Sequence, residues 1–148
     1  MKLSTKGRYS ARAMLELALN YDKGPLILGE IAKRQEISVK YLERIMNLLV
    51  AAGLVRSERG KNGGFRITKD PSKIKLGQII RITEGSLSIV NCVDDEKTCR
   101  RSKECIMRLI WTKVASAMDE VLYSITLQDM VDMHKAKQSG KGPGMYHI

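Results

Sequence analysis

Residues 36–68 read EISVKYLERIMNLLVAAGLVRSERGKNGGFRIT, and this stretch decides the fold. Ser38 is a residue type that caps helix N-termini, because its hydroxyl can accept a hydrogen bond from a free backbone N–H group. Gly53 stands where a helix C-terminus favours a left-handed residue. The apolar side chains between them recur at helical spacing, and they are Leu42, Ile45, Met46 and Leu49. The stretch therefore predicts a helix over residues 39–52 with one face turned to a core.

Two strand-like runs follow this helix, over residues 54–59 and 64–68. Asn62-Gly63 lies between them, and an Asn-Gly pair is a strong signal for a hairpin because both residues tolerate left-handed backbone conformations. A two-stranded antiparallel hairpin is therefore expected directly after the helix.

Further helical segments flank this stretch. The apolar patterns predict helices over residues 5–21 and 28–35 upstream, and over residues 76–84, 106–123 and 127–133 downstream. A helix, then a helix-turn-helix, then a hairpin is the order of a winged helix. The predicted fold class is mainly α: a winged helix-turn-helix with a small β-hairpin wing and a long C-terminal dimerisation helix.

The charge of the chain favours a polyanionic partner. The formal net charge is +10, and residues 1–70 hold 14 Lys and Arg against 7 Asp and Glu. An excess of positive charge on the helix-turn-helix half makes double-stranded nucleic acid the expected partner. The sequence has no apolar run of the roughly 18 residues that a membrane span needs, and no apolar signal-peptide core, so no membrane role and a cytoplasmic location are predicted.

The start of the helix over 39–52 and the hairpin turn carry the candidate DNA contacts. Hydroxyl and cationic donors at the N-terminal end of a recognition helix can reach base edges, and glycines let a wing approach phosphate closely. A solvated helix face and a plain tight turn are the alternatives. The predicted DNA-binding residues are Ser38, Lys40, Tyr41, Glu43 and Arg44 on the helix, and Arg59, Gly60, Lys61 and Asn62 on the wing.

Cys92, Cys99 and Cys105 stand close together in a densely charged segment, residues 90–105, which has no period and is expected to be a loop. Three thiols cannot all pair as disulfides, and a reducing compartment keeps them free. Three thiolates with a fourth ligand from elsewhere would suit an iron–sulfur cluster or zinc. A thiol redox switch is the third reading, and burial as inert thiols is disfavoured by the charged neighbours.

The helix over residues 106–123 carries one apolar stripe. A stripe of this kind is commonly core, but the chain offers no second core large enough to cover it, so pairing with the same helix of another subunit is expected. The predicted dimerisation residues are Ile106, Ile110, Val114, Met118 and Val121.

The same patterns predict a division of the chain. Residues 1–84 would form the DNA-binding domain, residues 85–133 the cluster-binding loop and dimerisation helix, and residues 134–148 a flexible tail. The two histidines, His134 and His147, lie in that tail, and no Ser/His/Asp or Cys/His arrangement is readable. The chain is therefore not expected to be an enzyme.

The sequence resembles the iron–sulfur cluster regulators of the IscR type, whose relatives sense nitric oxide, iron supply or cysteine metabolism. The resemblance runs from residue 1 to about residue 133. It is carried by the opening MKLSTKGRY, by Ile37-Ser38 with Tyr41-Leu42-Glu43, by Arg59-Gly60 with Gly63-Gly64, by the three cysteines followed by Trp111, and by Ile125-Thr126-Leu127.

This resemblance implies a homodimer that binds a palindromic operator and holds a cluster on the three cysteines, with 2Fe–2S ranked ahead of 4Fe–4S. It implies control of iron–sulfur cluster biogenesis genes, and a selector role for Glu43 in the cluster-free form. A histidine ligand of the family is replaced here by Arg108, which leaves the fourth position to Asp94, Asp95, the other subunit or an exogenous group. The alternatives are a nitric-oxide or redox-sensing repressor of the same fold, and a thiol or metal-binding protein with no role on DNA.

Overall fold

The order of elements along the chain is the predicted order of a winged helix-turn-helix. The computed structural model describes residues 2–140. Within them lie seven α-helices and one antiparallel hairpin. The elements are α1 Thr5–Leu19, α2 Leu28–Gln35, α3 Val39–Ala51, β1 Val55–Glu58, β2 Gly64–Ile67, α4 Leu76–Glu84, α5 Asn91–Asp94, α6 Ile106–Ser124 and α7 Leu127–Gln138.

Serine caps set the starts of the two helices that matter most for the site. The Ser4 hydroxyl accepts a hydrogen bond from the Gly7 N–H at 3.1 Å, and the Ser38 hydroxyl accepts one from the Tyr41 N–H at 3.2 Å. Each bond satisfies a backbone donor that has no partner within its helix. Helix α1 ends earlier than predicted because the chain tightens into a 3₁₀ turn at Tyr21–Lys23.

The turn between α2 and α3 contains a residue with left-handed backbone conformation. Glu36 has φ 54°, the single positive φ at a non-glycine residue in the described chain, and it closes α2 through its N–H group. Ile37 follows and is buried. A left-handed residue is what turns the chain sharply enough to bring α3 across α2.

The hairpin is extended by a third segment. Leu26 exchanges two backbone hydrogen bonds with Phe65, each 2.9 Å long, so the chain before α2 lies beside β2. A β-carbon at Gly64 would overlap the Leu26 backbone, and φ at Gly64 is 154°. Only glycine allows this close approach, which fixes the base of the wing against the helices.

One apolar core joins α1, α2, α3, α4, the hairpin and α7. The largest of its buried side chains are Met14, Leu17, Ile31, Leu42, Ile45, Met46, Leu49, Ile67, Ile74, Ile79 and Leu127. Leu127 and Val131 bring α7 into the core of the first 84 residues. The division of the chain at residue 84 stays a prediction.

Helix α7 is longer than predicted. The tail from residue 134 was expected to be flexible, but α7 continues to Gln138, while residues 141–148 lie outside the described range. Thr126 and Asp129 form a reciprocal capping box at its start, and Lys135 and Lys137 lie in its last turn, where cations favour the helix dipole. Residues 134–138 are thus helical and not part of a flexible tail, while the prediction for residues 141–148 lies outside the described residues.

The cysteine segment also departs from the prediction. Residues 90–105 were expected to be a loop, but they contain the single-turn helix α5 and a 3₁₀ turn at Glu96–Thr98. The Asp95 carboxylate accepts a hydrogen bond from the Lys97 N–H at 3.0 Å and caps this turn. Turns this short need one cap and no apolar repeat, so periodicity does not reveal them.

Helix α6 lies outside the core. Over the described residues none of its side chains is buried, and it is attached to α4 at its C-terminal half. A β-carbon at Gly77 would overlap the Tyr123 ring, and Arg81 forms an ion pair of 2.7 Å with Asp119. Within residues 2–140 no helix is both long and apolar enough to cross a bilayer.

Candidate DNA-binding surface and cysteine loop

The first two turns of α3 present a row of polar side chains to solvent. Ser38, Lys40, Glu43 and Arg44 are all exposed, while Leu42 and the next apolar residues are buried beneath them. The Ser38 hydroxyl uses a lone pair on its cap, so its hydrogen is still free to donate. The row therefore combines hydroxyl and cationic donors with one carboxylate acceptor, the groups that read base edges.

Tyr41 is less open to solvent than its neighbours in this row. It is half-buried, and its ring meets the Tyr9 ring of α1 edge to face, with centroids 5.9 Å apart and an interplanar angle of 81°. The reason is that position 41 lies between the buried and the exposed faces of α3. Tyr41 thus ties the recognition helix to α1, whatever its hydroxyl contacts.

The tip of the wing is exposed and cationic. Arg59, Gly60, Lys61 and Asn62 are exposed, and Gly60 has φ 113°, a conformation that a side chain would strain. Among residues 2–140, no ion pair engages Arg59 or Lys61. Their charges are therefore available to an external anion.

The stem of the wing holds its arginines differently. Arg56 and Arg66 stand directly opposite each other on β1 and β2, and both reach the Glu58 carboxylate, at 3.5 Å and 2.9 Å. Like charges opposed across strands repel, and a shared carboxylate offsets that repulsion. The stem charges are thus partly neutralised within the protein, whereas the tip charges are not.

Sequence patterns did not single out Tyr9, Arg12 and Gln35, which the structure places next to the recognition helix. The Arg12 guanidinium carbon lies 5.3 Å from the centroid of the Tyr9 ring, and the Arg12 Nε group donates to Gln35 Oε1 at 2.6 Å. The spacing of Tyr9 and Arg12, three residues apart on one helix, was the available signal. It does not indicate which other helix they meet.

The three cysteines occupy distinct places in the cysteine loop, residues 90–105. Cys92 lies in α5, Cys99 follows the 3₁₀ turn, and Cys105 immediately precedes α6. All three thiols are free; Cys99 is exposed and the other two are half-buried. Within residues 2–140, no three His, Cys, Asp or Glu side chains are grouped closely enough to hold a metal ion.

Arg108 joins the loop to α6. Its Nε group donates a hydrogen bond of 2.8 Å to the backbone carbonyl of Cys92, sixteen residues earlier. This contact fastens α5 to the first turn of α6. Arg108 is therefore a structural donor in this arrangement, and its protonated guanidinium has no lone pair for a metal.

The two nearby carboxylates are also engaged. Asp94 Oδ1 accepts hydrogen bonds of 2.7 Å from both the Ser86 and the Ser88 hydroxyls. These bonds lower the pKa of Asp94, and the bond from Ser86 has the larger effect. The Asp95 carboxylate caps the Lys97 N–H group. A role as the fourth ligand would require either carboxylate to leave these partners.

The cysteine loop suits an iron–sulfur cluster in its donor chemistry but not in its arrangement. Three reachable thiols are soft ligands of the kind that iron–sulfur clusters and zinc prefer. The described side chains do not converge, however, and no fourth donor stands with them. Holding a cluster would require the cysteine loop to close.

The five predicted dimerisation residues of α6 lie along one side of the helix and all reach solvent. Ile106 is 67% exposed, Ile110 42% and Val121 45%, and Val114 and Met118 are half-exposed. A shallow apolar depression of about 480 Å³ follows the same side, and it is lined by Leu87, Val114, Ala117, Met118, Val121 and Leu122. A face this apolar on a water-facing helix is typical of an interaction surface.

Comparisons with known proteins all point to transcriptional regulators. The model of a family described as Rrf2, iron-dependent transcriptional regulator, matches residues 3–133. The chain is 39% identical over 138 residues to the HTH-type transcriptional regulator CymR of Bacillus subtilis, covering 93% of this chain and 95% of CymR. It is 36% identical over 132 residues to the HTH-type transcriptional regulator IscR of Escherichia coli, covering 89% of this chain and 81% of IscR.

Solved structures show the same likeness. The structure of T. potens IscR superposes with a TM-score of 0.79 at 39% identity, covering 99% of this chain and 97% of that one. The structure of CymR (YrzC), the global cysteine regulator of B. subtilis, gives a TM-score of 0.75 at 39% identity, covering 89% and 97%.

Proposed function

The chain belongs to the Rrf2 family of transcriptional regulators, and on that premise we propose that the state of its cysteine loop sets how it binds operator DNA. Membership confirms the family resemblance, the winged-helix fold class and the prediction that the chain is not an enzyme. A DNA-binding regulator is thereby established. The ligand of the cysteine loop, the operator and the oligomeric state are our proposals.

The observation that carries the proposal is that the main chain at two of the three cysteines is joined to the start of α6. Cys105 is the residue before α6, and the carbonyl of Cys92 is bonded to Arg108 in the first turn of that helix. A ligand that pulls Cys92, Cys99 and Cys105 together must therefore move or strain the start of α6. Helix α6 packs on α4, and α4 packs on both α1 and α3. A change in the loop can therefore reach the DNA-binding surface through helices in direct contact.

The ligand that we propose is an iron–sulfur cluster, 2Fe–2S ahead of 4Fe–4S. Cys92, Cys99 and Cys105 would supply three thiolates, and the fourth position would go to a group other than Arg108. Bound there, the cluster would supply a redox-active and gas-reactive centre. Regulation of iron–sulfur cluster biogenesis genes is the corresponding role.

We further propose that the regulator acts as a homodimer on a palindromic operator. Two copies of α6 can cover each other's apolar side, because a two-fold interface is self-complementary. The two α3 helices would then enter successive major grooves, about one helical turn apart, with the wing tips beside them. Ser38, Lys40, Tyr41, Glu43 and Arg44 would face bases and phosphates, and Arg59, Gly60, Lys61 and Asn62 the adjacent groove.

Anaerobic reconstitution tests the proposal. Wild type and three single Cys→Ala variants would be loaded with iron and sulfide under exclusion of oxygen, then assayed for both elements and for operator affinity. We expect iron and sulfide in wild type alone, together with a loaded-to-unloaded difference in affinity that each variant loses. A full cluster in any single Cys→Ala variant would overturn the three-cysteine site.

A second candidate is a thiol-based or nitric-oxide-responsive repressor of the same fold. It is favoured by one observation: the three thiols are free, reachable and not gathered for a metal. Under this reading the unloaded protein would change its operator affinity on mild oxidation, and the change would be reversed by a dithiol. Reversible oxidation sensitivity without bound iron would select this candidate over the cluster.

A further inference from the structure

A continuous set of contacts runs from inside the protein to the recognition helix. The carboxylate of Glu16, a residue that is 8% exposed, accepts a 2.6 Å hydrogen bond from the side-chain amide of Gln35. The carbonyl of the same Gln35 side chain accepts a 2.6 Å bond from Arg12, whose guanidinium lies against the Tyr9 ring. The Tyr9 ring then meets Tyr41 of α3 edge to face.

The contacts of Arg12 are directional. One guanidinium donates from Nε to the Gln35 side chain and from Nη2 to the Gln35 backbone carbonyl, and its face lies over Tyr9. Gln35 is the last residue of α2, so Arg12 grips the point where the helix-turn-helix turn begins. The planar guanidinium of arginine fixes the directions of its hydrogen bonds, whereas the compact ammonium of lysine does not.

Apolar packing alone leaves the first turn of α3 less defined. The buried side chains of α3 start at Leu42, whereas Ser38, Val39 and Lys40 before it are exposed. In that turn Tyr41 supplies the aromatic contact to α1. Edge-to-face ring pairs have a preferred geometry, so the Tyr9 ring sets where Tyr41, and with it the donor row, can stand.

We infer that Arg12 is a positioning residue for DNA recognition, acting through Tyr9 and Tyr41 without touching the DNA. The inference rests on the proposed DNA-binding surface of α3. A loss of the Arg12 fork would let the first turn of α3 shift, so contacts to base edges would weaken more than contacts to phosphates. Specific binding would therefore fall while non-specific binding would stay near its original strength.

The experiment compares Arg12→Lys with wild type on two duplexes. One is an operator selected by the wild type from a random library, and the other is a scrambled duplex of equal length and composition. We expect Arg12→Lys to bind the operator about tenfold more weakly, the loss of one base contact, with near wild-type affinity for the scrambled duplex. The slope of log affinity against log salt should be unchanged, because the charge is kept.

Arg34→Lys is the matched control. Arg34 belongs to the same set of contacts, with ion pairs of 3.3 Å to Glu16 and 3.0 Å to Glu30, but it does not touch an aromatic ring. We expect its ratio of operator to scrambled affinity to equal that of wild type. An equal fall of the ratio in both variants would mean a general loosening of the fold and would overturn the inference.

Two further outcomes decide the role of Arg12. Wild-type operator affinity in Arg12→Lys, with a salt slope reduced by about one in Arg12→Gln, would make Arg12 a direct phosphate contact instead. The aromatic NMR signals of Tyr41 without DNA provide a measurement that does not depend on an operator. They should shift in Arg12→Lys and not in Arg34→Lys, and unshifted signals in both would refute the positioning role.

A failure of the proposed function would look different. In that case the wild type itself would not prefer any selected operator over the scrambled duplex, whereas the Tyr41 signals would still report whether Arg12 holds the ring.

Discussion

Helices α3 and α6 are similarly apolar, yet they end up in opposite environments. Helix α3 buries four side chains, namely Leu42, Ile45, Met46 and Leu49, in the core that α1, α4 and α7 share. Helix α6 is longer and buries none. An apolar stripe thus indicates that a face needs to be covered, and the rest of the fold decides whether the chain itself supplies the cover.

The difference separates the molecule into a part that is complete and a part that is open. The core-forming part, α1–α4 with the hairpin and α7, packs its apolar faces against one another and holds the base of the wing in place. The open part, α6 with the cysteine loop, exposes apolar side chains and free thiols together. A partner subunit and a soft ligand are what these two sets of groups can take up.

The largest expected effect sharpens this comparison. Leu49→Ala should lower the free energy of unfolding by about 2–5 kcal/mol, because it leaves a cavity in a closed core, and the loss should not depend on protein concentration. Ile110→Ala is the comparable truncation in the proposed seam of α6, where the side chain is 42% exposed. Its loss should be under roughly 1 kcal/mol in dilute protein and should grow with concentration as subunits pair. Denaturant unfolding at several concentrations measures both, and a large, concentration-independent loss for Ile110→Ala would break the comparison.

A charge placed on the open side of α6 should prevent pairing. Val114→Asp puts a carboxylate in the proposed seam, so the dimer should weaken about a hundredfold or more, while each protomer stays folded because position 114 is half-exposed. Ser116→Asp adds the same charge at an exposed polar position and serves as the control. Sedimentation velocity measures both variants, and a well-folded Val114→Asp dimer would show that this stripe faces something else.

The wing offers a comparison of its own, between the free tip and the paired stem. Arg59→Ala should weaken operator binding by about 1–3 kcal/mol if Arg59 reaches a groove edge, and the cost should shrink at high salt. Arg56→Ala removes an arginine that already contacts Glu58, so its cost should be smaller. Fluorescence anisotropy across a salt series gives both values. Equal losses would remove the distinction between tip and stem.

The smallest expected effect concerns the 3₁₀ turn at Pro71–Lys73, which precedes α4. The Ser72 hydroxyl and N–H groups both donate to Asp70, and these bonds hold the pKa of Asp70 below its ordinary value of 3.8. A carboxylate with a lowered folded pKa contributes stability above the unfolded pKa and loses it as the pH falls through the folded one. The turn should therefore be unaffected from neutral pH to about pH 4 and should loosen only below that. An NMR titration of the Asp70 carboxyl, with Asp70→Asn as a pH-insensitive control, measures this, and a midpoint above 3.8 would contradict it.

The core-forming part was largely predictable because its signals are local. Helix α2 and helix α4 begin and end where the sequence patterns place them, and Gly53 has the left-handed φ of 79° that its position after α3 predicts. Caps, turn residues and helical spacing act within a few residues, so a sequence displays them directly.

The candidate site was less predictable because its contacts are distant in sequence. Arg108 reaches the carbonyl of a residue sixteen positions earlier, and Arg12 reaches Gln35 across twenty-three positions. Residue type indicates that Arg108 is a cation without a lone pair for a metal, but it does not indicate which acceptor Arg108 finds. The contact of Tyr41 is also distant in sequence, since its ring meets Tyr9 on α1.

The bond from Arg108 to residue 92 ends on the main chain, and this separates scaffold from chemistry. Any amino acid at position 92 presents the same carbonyl, so the thiol there can be oxidised, alkylated or exchanged without removing the acceptor. The bond that connects the cysteine loop to α6 therefore does not depend on the side chain at position 92. Under the proposed function, a related chain could therefore take a different ligand by changing a few side chains of the cysteine loop, while it keeps the same bond between the loop and α6.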